Sequence, residues 1–333
     1  MSLFKAPPVI ELHGAPLVAG EPFAVDVVLR CREPLPIDLV EVTLRGTATY
    51  AVPGHYSAYG IDDSSLARVQ LLHLRYWPVR ERVELAAAEH RFNVHGTIPA
   101  GLPGSFRGPR LTVDWRINVR VSVPWWLDAR RTFFVAVRSP PVAQIAAPEP
   151  TVFASNPRGP AGRWPYAEVT LANTVVRAGD RIRGYLSLGN LQYHRYQLLI
   201  ATLRQRVMLI GPLLPAHGVE PVATGRLALD PDACNAPIPF ELHVPHALIS
   251  AFQVRQLGMV WALQCTVHAQ GGPKTMVEVP ITIVPSDTAV TEAAPMLAAI
   301  GSERLGHAWS QAAVDTGFAL QNGALVRRTP RST

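Results

Sequence analysis

The sequence predicts an all-β protein made of two tandem antiparallel β-sandwiches, followed by a short C-terminal helix. The first observation is an internal repeat, since Val18-Ala19-Gly20-Glu21 and the run after it return as Arg177-Ala178-Gly179-Asp180. The second is strict alternation of apolar and polar residues, as over residues 111–121, which is typical of half-buried strands. A repeat this long indicates two homologous domains, and sheets with one apolar face must cover each other.

The repeat continues through later strands of each half. Thr43-Leu44-Arg45 recurs as Thr202-Leu203-Arg204, and Trp115 matches Trp261. Both tryptophans alternate with Val and Ile, so we expect both rings to lie in domain cores. The spacing between Gly20 and Gly179 exceeds that between the two tryptophans, so the first half carries an insertion before Phe92. Its tip, residues 52–63, is aromatic and turn-forming, and such added loops commonly bind partners.

The repeat and the proline content define the expected domains. We expect an N-terminal sandwich over residues 9–139, a proline-rich connector over residues 140–165 and a second sandwich over residues 166–285. The tail, residues 286–333, has a different pattern: Ser302 can cap an amphipathic helix that carries Trp309. After it, Phe318–Gln321 and Ala324–Arg327 flank Asn322-Gly323, which is typical of a tight hairpin.

Composition narrows the functional classes. The net charge is +6, but the arginines are scattered rather than arranged in a stripe, so we expect no nucleic-acid partner. The 3 cysteines are too few for a disulfide framework. The N-terminus has no apolar core of a signal peptide, and no run is long enough to span a membrane. We therefore expect a cytoplasmic protein that is not transmembrane.

Motifs for catalysis are absent from the sequence. There is no nucleophile elbow, phosphate-binding loop, dinucleotide fingerprint or zincin helix. His243 and His246 are three apart, which places them on opposite faces of a strand unless Pro245 opens a turn. Asp62-Asp63 lacks the closing Glu of a calcium loop. We expect no catalytic residue, no cofactor and no metal site, so the chain is not predicted to be an enzyme.

Three segments carry a resemblance to a known family. His90 to Phe106, with its Phe/Val strand ending in Ile98-Pro99, resembles a characteristic arrestin stretch, and Leu111 to Val119 resembles the strand after it. Val123-Pro124-Trp125-Trp126 lies where many arrestin-like proteins have an Arg-Pro-Trp turn. The resemblance covers about residues 9 to 285, and its clan includes trafficking adaptors and bacterial sporulation-control proteins. A Lys-Lys phosphate sensor, an assignable polar-core arginine and a PPxY motif are absent, so phosphoreceptor sensing and ligase recruitment do not carry over.

The resemblance implies two cupped sandwiches that bind proteins, so the predicted function is a non-catalytic intracellular adaptor or scaffold. The expected partners are proteins, with cytoplasmic segments of membrane proteins as one class and a second copy of the chain as another. The alternative is a sandwich module that binds a carbohydrate or lipid surface through exposed aromatic rings. The candidate partner-binding residues are Tyr56, Tyr59, Trp125, Trp126, Arg130, Arg131 and Trp309.

Overall fold

The computed structural model describes residues 6–51, 66–125, 127–139, 150–160, 162–209, 216–254, 256–286, 318–321 and 324–327. Every regular element in these ranges is a β-strand, so the all-β prediction is confirmed. The described residues before 140 form one compact unit and those after 150 form another. The tail helix predicted from Ser302 onwards lies outside the described residues.

The first unit contains twelve strands in chain order: β1 Val9–Gly14, β2 Leu17–Val18, β3 Pro22–Arg30, β4 Leu35–Ile37, β5 Leu39–Ala51, β6 Leu66–Val79, β7 Val83–Leu85, β8 Glu89–Thr97, β9 Phe106–Arg107, β10 Leu111–Ser122, β11 Ala129–Phe134 and β12 Val137–Arg138. One sheet has the order β1-β3-β8 and the other β11-β10-β5-β6, with β9 beside β10. In β10 every second side chain is buried, which places the row from Leu111 to Val121 in the core. Trp115 lies in the middle of that row and is only 1% exposed.

The second unit repeats this plan with ten strands and a terminal hairpin: β13 Thr151–Ala154, β14 Tyr166–Leu171, β15 Val175–Arg177, β16 Arg181–Gly189, β17 Tyr196–Leu209, β18 Ala216–Ala228, β19 Ile238–His243, β20 Phe252–Val254, β21 Leu257–Ala269, β22 Lys274–Val284, β23 Phe318–Gln321 and β24 Ala324–Arg327. Its sheets have the orders β13-β14-β16-β19 and β15-β22-β21-β17-β18. Trp261 is fully buried on β21, as its match to Trp115 predicts.

The repeated Ala-Gly turn forms the same hydrogen bonds in both units. Gly20 and Gly179 have φ values of 88° and 95°, a left-handed conformation that favours glycine. The Gly20 N–H donates to the Ile98 carbonyl over 2.7 Å, and the Gly179 N–H donates to the Val244 carbonyl over 3.1 Å. Each acceptor precedes a proline, so the turn connects the start of one strand to the end of another.

Two features differ from what the sequence predicts. β2 pairs in parallel with β12, and β15 pairs in parallel with the end of β22. These contacts join the beginning and the end of each sandwich, which alternation within one strand cannot reveal. In addition, Thr151–Ala154 lies within the stretch expected to be a connector and forms β13, which pairs with β14.

Candidate functional site

The β10–β11 hairpin carries three of the predicted site residues, namely Trp125, Arg130 and Arg131. Its strands pair from Arg116↔Phe134 to Val121↔Ala129, and the turn between them contains Trp125. This residue has φ 62° and its side chain is 97% exposed. A bulky residue in the left-handed region costs about 1–3 kcal/mol, and this ring does not recover the cost by burial. Trp125 is therefore an exposed aromatic side chain in a strained backbone conformation, a combination that makes it a candidate contact residue.

An acidic residue holds the end of the hairpin. Asp128 accepts hydrogen bonds from Arg120 Nε over 2.7 Å and from Arg130 Nη2 over 3.0 Å. Burial raises the pKa of Asp128, but hydrogen bonds from Arg130, Arg120 and Ser122 outweigh it and hold the pKa below its usual value. The carboxylate therefore stays ionised at neutral pH and fixes the position of the exposed Arg130.

Arg131 connects the hairpin to the first strand. Its Nη1 donates to the main-chain carbonyl of Ile10 over 2.8 Å, and its guanidinium lies 5.2 Å from the centre of the Phe133 ring. β11 therefore lies beside β1, although the two strands belong to different sheets.

An apolar groove of about 300 Å³ lies at this junction. It is lined by residues 12–17 of the chain, by Val25 and by residues 133–136. Phe134 is 58% exposed there, with the Arg116 guanidinium 4.6 Å from its ring centre. The groove is thus lined mainly by aromatic and aliphatic side chains, with one guanidinium against the exposed ring of Phe134, a composition suited to apolar side chains rather than to a small polar metabolite.

The two units differ at the edge of the sheet nearest this groove. In the second unit, β13 pairs with β14 along residues 151–154. The counterpart of β14 in the repeat is β1, which pairs with β3 alone among the strands that the structure describes. Within the described residues, one side of β1 therefore offers main-chain donors and acceptors to an incoming strand, apart from the Ile10 carbonyl, which already accepts from Arg131.

The remaining predicted site residues are not assembled here. Tyr56, Tyr59, Trp126 and Trp309 lie outside the described residues, so they stay predictions. Sequence reasoning missed the edge of β1 and the groove residue Phe134. The Phe-Phe pair on a short strand was the available signal, because alternation directs one of the two rings outward.

Nucleophiles and metal ligands are not concentrated in the described parts of the chain. All three cysteines are buried, and burial raises the pKa of Cys265 to about 12, so that thiol stays protonated. His243 and His246 have ring centres 5.9 Å apart, yet no group of three His, Cys, Asp or Glu side chains with metal-binding geometry occurs within those ranges.

Comparisons with known proteins give a consistent relationship. The chain is 25% identical over 167 residues to mouse arrestin domain-containing protein 1 and 24% identical over 179 residues to its human counterpart. The matches include 50% and 53% of this chain but only 36% and 38% of those relatives, so the chain spans little more than a third of their length. No family model matches.

The described ranges contain no helix with the length and apolarity needed to cross a bilayer. What they contain is two sandwich units with the same strand plan, the same hydrogen-bonded glycine turn and the same buried tryptophan. Together, the similarity to arrestin domain-containing proteins and this architecture support an arrestin-like family for the chain.

Proposed function

We propose that this chain is a non-catalytic adaptor that binds an extended segment of a partner protein along the unpaired edge of β1. The observation that carries the proposal is the contrast between the units: β13 occupies the edge of β14, whereas β1 has no such partner among the described strands. The chain itself thus provides an example of the strand that would be added. Cytoplasmic segments of membrane proteins are the proposed partner class, as the resemblance to trafficking adaptors implies, and the proposed location is the cytoplasm.

The groove beside β1 supplies the specificity of this proposed interaction. Main-chain hydrogen bonds from an edge strand give affinity for any extended peptide, whereas pockets for alternate side chains select among sequences. Arg130 is well exposed, with 68% of its side chain accessible, and Phe134 borders the groove. The favoured segment therefore has an apolar residue for the groove and an acidic residue near the hairpin.

A matched pair of variants tests this function. Phe134→Glu places a charge at the groove, and Val152→Glu places the same charge on β13 of the second unit, where the native side chain is 57% exposed against 58% for Phe134. Peptides would be selected from a displayed random library on the full chain, and their affinities measured by fluorescence polarisation. We expect Phe134→Glu to weaken binding at least about tenfold, which is 1.4 kcal/mol, and Val152→Glu to leave it nearly unchanged.

Hydrogen exchange locates the bound peptide independently. Added strand pairing should slow exchange of the amides of residues 9–14, while those of β13 keep their rates. Equal losses of affinity in both variants would refute docking at β1. So would slowed exchange that is confined to amides outside the first unit. Melting curves of both variants verify that the substitutions leave the two units folded.

The exposure of Trp125 favours a second candidate function, binding to a lipid or carbohydrate surface. A ring that is 97% exposed is suited to the interface of a bilayer or to stacking on a sugar. Co-sedimentation with anionic vesicles and with insoluble polysaccharides, comparing the wild-type chain with Trp125→Ala, separates the two functions. Binding that Trp125→Ala removes while peptide affinity persists would support this second function.

A further inference from the structure

The second unit contains an apolar slot between the edge strands of its two sheets. The slot has a volume of about 560 Å³ and lies between β18, the edge of one sheet, and β19, the edge of the other. Its inner wall includes Leu199 and Ala201 of β17, Leu227 of β18 and Phe240 of β19. Apart from glycine, all the inward side chains of this wall are hydrocarbon.

The first unit closes the equivalent gap with a tyrosine. Tyr76 on β6 lies opposite Val42 on β5, and its ring packs edge-on against Phe23 at a centroid distance of 6.4 Å. This packing desolvates the phenol, and burial raises the pKa of Tyr76. The sandwich is therefore filled at this point.

The second unit has much smaller residues at the same positions. The repeat matches Val42 of the first unit to Ala201 of the second. Tyr76 pairs with Val42, and Gly225 pairs with Ala201. Gly225 is therefore the counterpart of Tyr76. Gly184, which lines the slot, replaces Val25 of the first unit in the same alignment. Phe240 is larger than its counterpart, yet the slot stays open. Because the slot opens at the surface, its apolar side chains meet solvent, and a ligand that covered them would gain the free energy of removing apolar surface from water.

Charged side chains lie where the slot meets solvent. Arg183 and Arg226 border it together with Glu241. Glu241 forms an ion pair with Arg181 and lies 3.9 Å from the Nε of Arg183. Two arginines and one carboxylate therefore border the opening, and a further arginine, Arg181, pairs with that carboxylate, so the opening carries an excess of positive charge that favours an anionic group.

We propose that this slot binds a single-chain anionic amphiphile of the long-chain fatty acid type, with its hydrocarbon chain inside and its carboxylate at Arg183 and Arg226. The volume falls within the range of pockets that hold small molecules. The mainly hydrocarbon wall selects an apolar body, and the arginines at the opening select a negative head. The ligand fills the space that Tyr76 fills in the first unit.

Binding of dodecanoate below its micelle concentration tests the proposal directly. Isothermal titration calorimetry on the full chain should show saturable binding of one molecule per chain. From octanoate to dodecanoate, affinity should rise about fourfold per added methylene, because each buried methylene contributes a fixed increment of transfer free energy. Failure of the wild-type chain to bind dodecanoate saturably would overturn the proposal.

Filling the slot gives the decisive variant. Gly225→Tyr recreates the arrangement of the first unit, and a Cβ at this position meets nothing closer than the flexible Leu242 Cδ1 at 3.3 Å. Val219→Tyr is the control, because Val219 lies on the same strand, is 41% exposed and does not line the slot. We expect Gly225→Tyr to weaken dodecanoate binding at least tenfold and Val219→Tyr to leave it unchanged.

Two further variants keep the test decisive. If Gly225→Tyr fails to fold, Ala201→Leu fills the same space from β17 and should cause a similar loss. Arg226→Glu should weaken binding of dodecanoate severalfold but leave dodecanol unaffected, since only the acid needs the cation. Equal binding of dodecanoate by the wild-type chain and both slot-filling variants would show that the acid binds outside the slot and would reject the proposal. Binding to vesicles that contain fatty acid, without binding of the monomeric acid, would show that the protein recognises a membrane surface and would also reject it.

Discussion

Substitution of Trp115 tests the packing that both sandwiches share. The ring is 1% exposed and its Nε1 donates to the Pro103 carbonyl over 3.2 Å. Opposite it lies Gly46, where a Cβ would come within 2.7 to 2.9 Å of three ring carbons. Gly46 is therefore small because Trp115 is large, and a double-mutant cycle of Gly46→Ala and Trp115→Ala measures that dependence.

The magnitudes follow from burial and steric overlap. Trp115→Ala removes a buried aromatic ring and leaves the Pro103 carbonyl without its donor, so the free energy of unfolding should fall by about 3–5 kcal/mol. Gly46→Ala forces backbone or ring to move and should cost about 1–3 kcal/mol. In the double variant the added methyl occupies part of the void, so the two losses should fall short of additivity by at least about 1 kcal/mol.

Urea unfolding read by hydrogen-exchange mass spectrometry suits this cycle, because peptides from the two units are followed separately. Losses should appear in peptides of residues 6–139, while the second unit keeps its midpoint. Trp261→Ala is the matched control: its indole N–H donates to the Ile249 carbonyl over 2.8 Å, so it should destabilise the second unit to a similar degree. Additive losses, or a cost below about 1 kcal/mol for Trp115→Ala, would refute the packing argument.

Three other changes have defined outcomes. Asp128→Asn should lower the stability of the first unit by about 0.5–1 kcal/mol at pH 7. The folded-state pKa of Asp128 is depressed, so its carboxylate stabilises the first unit above the unfolded value of 3.8, and this stabilisation is lost as pH falls through the folded pKa. An equal difference in urea midpoint between wild type and Asp128→Asn at pH 7 and at pH 2 would contradict this. Gly179→Ala should destabilise the second unit by about 2 kcal/mol or more, since φ is 95° and a Cβ would lie 2.4 Å from His246 Nδ1. Gly272→Ala is the control and should be nearly neutral, because a Cβ there has no contact under 3.5 Å. Equal shifts in melting temperature for Gly179→Ala and Gly272→Ala would exclude the steric cause. Burial should protect Cys265 from alkylation by iodoacetamide at pH 8 until the chain unfolds. Rapid alkylation of Cys265 in the native chain, detected by mass spectrometry, would contradict this prediction.

The architecture could be predicted from the sequence because it depends on local patterns repeated twice. Alternation along β10 determined which of its faces is buried, whereas β21 is buried on both faces over residues 257–263. The matching of Trp115 with Trp261 predicted two cores of the same type. The glycine turns were visible for the same reason, since the short Ala-Gly-acidic sequence that forms them occurs once in each half.

The candidate sites depend on relations that such patterns do not carry. The contrast between the two edges arises because residues 151–154 give β14, and not β1, a second partner, and a short apolar run in a proline-rich stretch gives little warning of that pairing. The slot was hidden for another reason. The insertion before β6 shifts the alignment between the halves, so the correspondence of Tyr76 with Gly225 emerges only from strand pairing.

The strand β13 also determines the valency of the chain. Duplication of a domain with one open edge would ordinarily give two equivalent acceptors, and a protein with two could cross-link extended ligands into networks. Here Thr151–Ala154 occupies the edge of β14, so of the two equivalent strands only β1 is available among the described residues. In the function proposed above, the described residues thus present this type of acceptor edge once, and each copy of the partner segment would recruit one chain.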